Sequence, residues 1–278
     1  MSEKTPCSIE VDSNRCTRCA ACVDDCLARI IVMPENEPPR IVSGEEARCF
    51  KCRHCLAICP TGALSWNGET AENCAPMGPI PTPETMERLL RQRRSVRAYK
   101  RENVSEEIFE RLARAMDFVP TGCNDRAFFF SYSRTMETTE ACRVALDKYL
   151  ISHSDDELPE KIRRYGMFRE AVASGVDVFF RNAPHFVAVA VSPEASNAHI
   201  DPYIAAAQFE LLACSFGLGT CWDGMATNLF NAAPELYRML NIPNEYELKI
   251  VLLFGVPSIS YARAPSPPSY PSASVSLG

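Results

Sequence analysis

Cys16-Thr17-Arg18-Cys19-Ala20-Ala21-Cys22-Val23-Asp24-Asp25-Cys26 decides how the first part of this chain folds. Cys49-Phe50-Lys51-Cys52-Arg53-His54-Cys55-Leu56-Ala57-Ile58-Cys59-Pro60 repeats it. Both stretches space their cysteines as C-x2-C-x2-C-x3-C, and the second adds a proline where the first has Leu27. Two intervening residues let successive sulfurs converge on one set of corners, where a strand's alternation would throw them apart. This is the spacing of bacterial iron–sulfur runs, which supply one soft thiolate to each iron. Two other uses of cysteine fit less well. A disulfide framework needs an oxidising compartment, and Met1 to Pro6 is polar, without the apolar stretch of a signal peptide. Zinc takes four ligands per site, and two triplets each followed by a fourth cysteine make a poor zinc pattern.

The doubled run resembles that of the two-cluster ferredoxins, over roughly residues 5–68 on the usual size of such small cofactor-stapled folds. In that pattern the fourth cysteine of each run ligates the cluster held by the other. The resemblance therefore implies one [4Fe–4S] cluster on Cys16, Cys19, Cys22 and Cys59, and a second on Cys49, Cys52, Cys55 and Cys26. So short a segment has too few apolar residues to fold on them alone, and the clusters would be its core. Gly62 to Trp66 reads as a closing strand and Asn36 to Pro39 as a turn between the halves. Cys7 and Cys74 lie outside both runs, and His54 is a solvated bystander within the second.

The chain has 278 residues, so about 200 remain after this segment, enough for one further domain. A hydrophobic content of 46% and a charged content of 23% are globular values. A formal net charge of −6 argues against nucleic acid as a partner. No apolar run approaches the length of a membrane span, so no membrane partner is expected and the cytoplasm is the expected location. The expected division is a two-cluster domain over 1–72, a proline-rich linker over 73–83, and a second domain over 84–278. Prolines at 76, 79 and 81 make the connector stiff and extended. Ala264 to Gly278 is rich in Pro and Ser and reads as an extended arm.

Thr82 followed by Pro83 predicts a helix start, with the helix running toward Arg93. Ser105 precedes a second helix carrying Ile108, Phe109, Leu112, Ala113 and Met116 at helical period. Ala127 to Ser133, His185 to Val191 and Leu248 to Phe254 read as strands, and Tyr203 to Phe216 as a helix stopped by Gly217 and Gly219. Helices and strands mix without a strict βαβ beat, which predicts an α+β layer fold.

Arg93-Arg94-Ser95-Val96-Arg97 offers guanidinium forks and a hydroxyl suited to a phosphate, although arginines at a helix end are usually a solvated face. In sequence order there follow Pro120-Thr121-Gly122-Cys123-Asn124, then Arg181-Asn182-Ala183-Pro184, then Gly217-Leu218-Gly219-Thr220-Cys221-Trp222-Asp223-Gly224. Together the four segments resemble the motifs of the nitroreductase family across about residues 84–265, and the whole chain looks like the ferredoxin-fused branch of that family. The resemblance implies bound FMN. Arg93, Ser95 and Arg94 would hold its phosphate or ribityl chain. Arg97 would face the pyrimidine edge and stabilise negative charge on the reduced ring. Asn124 would bond the ring or ribityl chain, the main chain at Gly224 and Met225 would address N5 and O4, and Arg263 would reach the phosphate. The sequence departs from the family in Asp125-Arg126-Ala127-Phe128, where Gln-Pro-Trp is common, and in Ser266-Pro267 beyond Arg263.

These readings converge on an FMN-dependent oxidoreductase. It would pass electrons from two [4Fe–4S] clusters to FMN and on to a small organic acceptor such as a nitroaromatic or quinone. No catalytic side chain is assigned, since the chemistry is the flavin's. An external ferredoxin-type donor is the expected electron source, and the family implies a homodimer. A non-catalytic electron carrier or redox sensor, or a flavin enzyme of related fold performing reductive dehalogenation, are the alternatives. Cys123 and Cys221 fall in flavin-proximal motifs, but free cysteine is commonly a small buried residue, as Cys142 and Cys214 are expected to be. Tyr149 to Phe180 is the expected lid over the flavin.

Overall fold

The computed structural model describes residues 6–275, so the ends of the expected first domain and of the C-terminal arm lie outside it. The chain divides into two compact units. One comprises the residues up to Ile80 with Gly122–Asp125; the other comprises Pro81–Thr121 and the residues from Arg126 onward.

The first unit is built from two antiparallel strand pairs. Strand β1 (Ile9–Val11) pairs with β4 (Leu64–Trp66), and β2 (Ile31–Val32) with β3 (Arg40–Ile41). The expected closing strand is therefore present as β4. Two one-turn helices, Ala21–Asp24 and His54–Ala57, follow the middle of each cysteine run. Each run turns through two left-handed residues at matching positions, Arg18 and Ala20 in the first, Lys51 and Arg53 in the second. None of the four is glycine, and such a conformation costs roughly 1–2 kcal/mol per residue. These reversals lie between the cysteines of each run that line one cavity. The apolar core here is small, formed by Ile30, Ile31, Leu56, Leu64 and Trp66 around Cys7.

The second unit is an antiparallel sheet with helices on both faces. Its strands are β5 (Phe128–Tyr132), β6 (His185–Val191), β7 (Gly219–Trp222) and β8 (Glu247–Gly255), in the order β5-β6-β8-β7. β6 is central and wholly buried. Its side chains alternate between the two faces, as a strand requires. Phe186, Ala188 and Ala190 join one core with the Met136–Ser152 helix through Cys142, Leu146 and Leu150. Val187 and Val189 join the other with the Glu106–Ala115 and Asp201–Ser215 helices through Phe109, Leu112, Ala205 and Phe209. Burying each large side chain is worth about 1.5–3 kcal/mol. Thr82 caps the Pro83–Gln92 helix by accepting from the Thr85 N–H, and Ser105 does the same for Ile108.

The stretch from Tyr149 to Phe180 is not a detached cover. Leu158, Ile162, Tyr165, Val172, Phe179 and Phe180 are all buried in the first of these cores, so its apolar residues serve packing. The C-terminal segment from 264 to 275 carries no regular element. Among the described residues no helix is long and apolar enough to cross a membrane.

Candidate functional site

Two cavities lie in the first unit. One is lined by Cys16, Cys19, Cys22 and Cys59. The other is lined by Cys26, Cys49, Cys52 and Cys55, with Cys7 and Trp66. Each cavity thus holds three cysteines of one run and the last cysteine of the other. Zinc would draw four sulfurs to about 2.3 Å from one point. Among the described residues no three cysteine, histidine or acidic side chains converge on a single-ion site. Four thiols spaced around a cavity suit a cubane, which takes one thiolate per iron. The residues present therefore fit two [4Fe–4S] clusters.

The thiols are unequal. Burial pushes Cys55 up to about 12 and also raises Cys22. Burial works against the Cys59 thiolate too, but the N–H groups of Leu64, Ala63 and Thr61 outweigh it and hold that thiol below its ordinary value. Ala63 N donates to Cys59 Sγ at 3.2 Å, and Lys51 N to Cys49 Sγ at 3.3 Å. Cys7 gives its proton to Glu46 O at 3.4 Å. His54 Nδ1 lies 3.1 Å from Asp25 Oδ2 on the surface.

In the second unit the arginine segment runs beside β7. Val96 N donates to Thr220 O at 2.8 Å, and Ser95 forms a parallel bridge with Thr220. Gly219 makes this possible: a Cβ there would lie 2.6 Å from the Val96 side chain. Arg93 Nη1 reaches Glu210 Oε1 at 3.1 Å, and Thr220 Oγ1 donates to the same oxygen at 3.1 Å. Arg94 Nη1 donates to the carbonyls of Arg91 and Arg93 at 2.9 and 2.7 Å. Arg97 Nη1 lies 3.4 Å from Ser95 O, and Arg263 is exposed. Asn124 belongs to the segment that groups with the first unit, where its Nδ2 donates to Phe50 O at 3.0 Å.

Strand β7 leads into the Gly224–Phe230 helix, capped by Asp223. Asp223 Oδ1 accepts from Met225 N at 3.0 Å and Ala226 N at 2.9 Å. The space beside Gly224 is open, with nothing within 4 Å of an added Cβ. Asp223 itself is 5% exposed, and its Oδ2 has no partner among the described residues. Burial raises its carboxyl to about 7; the Ala226 N–H and Arg181 oppose the rise. Arg97 and Arg181 both hold down the Cys221 thiol against the burial that raises it. Arg94, Arg97, Arg181 and Arg263 form no ion pair among the described residues. No local sequence pattern marks Glu210 or Asp223 as a site residue. Their signals are an acid in the largely apolar second half of the Asp201–Ser215 helix, and an acid directly before a glycine that opens a helix.

Residues 90–256 match the model of the nitroreductase family. The chain belongs to that family. Residues 15–64 match a second model, the 4Fe-4S dicluster domain, so a nitroreductase-fold domain follows an N-terminal dicluster domain. Among solved structures the fold is similar to a nitroreductase with bound FMN from Bacteroides fragilis NCTC 9343. The two are 20% identical, with a TM-score of 0.55 over 70% of this chain and 99% of that one. A nitroreductase with bound FMN from Desulfitobacterium hafniense DCB-2 is 22% identical, with a TM-score of 0.53 over 68% of this chain and 96% of that one. At these identities the likeness is one of fold. No curated protein matches the chain.

Proposed function

We propose that this nitroreductase-family protein is an FMN-dependent oxidoreductase. It would take electrons through two [4Fe–4S] clusters to FMN and pass them to a small organic acceptor such as a nitroaromatic or a quinone. The observation that carries this reading is the exchange of Cys26 and Cys59 between two thiol-lined cavities, in a chain that continues into a nitroreductase fold. Cys16, Cys19, Cys22 and Cys59 would hold one cluster, and Cys49, Cys52, Cys55 and Cys26 the other.

When bound, FMN supplies the ability to take electrons singly and give them in pairs, which is the hard chemistry of the reaction. The protein's residues place and tune it. Arg94, Ser95 and Arg263 would hold the phosphate or ribityl chain, with Arg93 stiffened by Glu210. Arg97 would offset negative charge at the pyrimidine edge. Gly224, open and at a helix start, would let the backbone come close to the ring, while Met225 N–H stays with Asp223. The reading further takes the protein as a homodimer that receives electrons from an external ferredoxin-type or other donor.

Anaerobic purification and reconstitution tests this. Iron, sulfide and FMN are counted, and reoxidation of the reduced protein is followed with a panel of nitro, quinone and halogenated compounds. Full cofactor content with no reoxidation by any acceptor would favour an electron carrier.

A further inference from the structure

Trp66 ends β4 and lines the second cavity beside Cys26, Cys49, Cys52 and Cys55. It is 7% exposed, and its indole Nε1 is buried without a hydrogen-bond partner. Among the described residues it is the only buried side-chain donor in that state, the other two unpartnered atoms being carboxylate oxygens of Asp147 and Asp223. The residue is firmly held. Its backbone N–H and carbonyl both bond to Glu69 at 2.8 Å, and it pairs with Ile9 across the strands. Arg53 Cζ sits 5.1 Å over its ring, fixed by an ion pair with Glu69 at 2.7 Å. A buried N–H left unpaired is costly, and buried tryptophans usually find an acceptor. Trp66 and the four cysteines line one cavity, so a cluster held there would place its sulfurs beside the ring.

Among the described residues the first cavity holds no buried side-chain donor without a partner. Arg18 donates to Pro34 O at 3.0 Å. Thr61 Oγ1 lies 3.9 Å from Cys59 Sγ. Backbone N–H groups reach a thiol in both cavities, so they do not set the two apart in kind. Cys7 is also in the second cavity, but its proton is already given to Glu46 O.

We propose that Trp66 donates its indole N–H to a sulfur of the second cluster, raising the reduction potential of that cluster and leaving the first alone. The proposal rests on the reading of the eight cysteines as cluster ligands. One electron added to a cubane increases negative charge on its sulfurs, and a hydrogen bond to sulfur stabilises that reduced form.

The test is an anaerobic, EPR-monitored redox titration of the full-length protein with dithionite, using 15N-indole-labelled tryptophan. Trp66→Phe and Trp222→Phe are run in parallel, since the chain has two tryptophans. Iron and sulfide are counted first: fewer than about eight of each per chain refutes the cluster reading itself, and this proposal with it. With both clusters present, pulsed EPR of the reduced protein should show a 15N coupling that Trp222→Phe keeps and Trp66→Phe loses. One of the two reduction waves should move to lower potential in Trp66→Phe while the other stays. No 15N coupling in the wild type, a coupling that survives Trp66→Phe, or two unmoved waves in a fully loaded Trp66→Phe would overturn the proposal. If Trp66→Phe fails to assemble, the wild-type coupling and its retention in Trp222→Phe decide the matter.

Discussion

Cys26 and Cys59 line each other's cavities: Cys59 completes the ring of Cys16, Cys19 and Cys22, and Cys26 that of Cys49, Cys52 and Cys55. The exchange interlocks the two cysteine runs, because each cavity needs a thiol from the far run. Each run carries four cysteines, but only three of them line its own cavity. In a unit whose apolar core is so small, cluster binding and folding are then one process.

Cys59→Ser should therefore remove the first cluster and spare the second. Iron and sulfide should fall from about eight to about four per chain, with one reduction wave left. Cys26→Ser should lose the other wave. A Cys59→Ser protein that keeps both waves would contradict the exchanged wiring.

The Arg93–Glu210 pair predicts a stability effect separate from any cofactor. Glu210 is buried, at 7% side-chain exposure, whereas Arg93 keeps 35%. Removing the guanidinium leaves a buried carboxylate with Thr220 alone. Arg93→Ala should destabilise by about 1–3 kcal/mol, below the range for a fully buried broken pair because Arg93 still meets water. Adding Glu210→Gln should restore most of the loss. Denaturant unfolding of the two single variants and the double variant measures the coupling; additive effects would show that the pair does not act as one.

Asp223 should make stability fall with rising pH. Its folded value is raised, from 3.8 to about 7, so the folded state holds a proton that the unfolded state has released. Its contribution is complete below pH 4 and is lost as pH rises toward 7. Arg181, which opposes the rise, and Asp177, which adds to it, face the same carboxyl. Asp223→Asn keeps a cap for the helix and removes the titration. The variant should gain on the wild type by on the order of 3 kcal/mol between pH 5 and pH 8. Parallel unfolding curves at the two pH values check it, and an unchanged difference would mean that Asp223 is ionised throughout.

Much of this arrangement was legible in the sequence, for reasons that are local. Thr82-Pro83 and Ser105 are caps acting within four residues, and both helices begin where they stand. The uninterrupted apolar run at His185–Val191 could only be an interior strand. Strand β7 escaped notice, since Gly219-Thr220-Cys221-Trp222 has no alternation to read. It is defined by pairing with β8 and by the close approach of Val96 that Gly219 permits. Glu210 meets Arg93 from 117 residues away, a contact no local pattern records. The buried residues of the Tyr149–Phe180 stretch pack with elements distant in sequence, a burial no local pattern records.

Arg97→Ala should change the potential of bound FMN more than its retention. Arg97 Nη1 donates to Ser95 O and, among the described residues, Arg97 forms no ion pair, so its charge is not spent on a carboxylate. A cation beside a ring that gains negative charge acts mainly on the reduced state. The potential should shift downward, with FMN titration little altered. Equal potentials in the wild type and Arg97→Ala would remove Arg97 from the pyrimidine edge.

The direction of electron flow gives the last prediction. The chain carries two cluster sites ahead of its nitroreductase fold, and it has no G-x-G-x-x-G fingerprint after a strand. A flavin reduced directly by NAD(P)H would not need the clusters, so electrons should enter through them. Covalent linkage keeps the relay at high effective concentration whatever its path. The full-length protein and the Cys59→Ser and Cys26→Ser variants can each be offered a reduced ferredoxin-type protein and NAD(P)H. FMN reduction by the ferredoxin should fall at least about tenfold when either cluster is lost, the loss expected when a relay step adds about 1.4 kcal/mol to the barrier. Reduction by NAD(P)H should be slow in all three. Undiminished ferredoxin-driven reduction in both variants would show that the clusters are not the path, and rapid reduction of the intact protein by NAD(P)H would show that they are not needed.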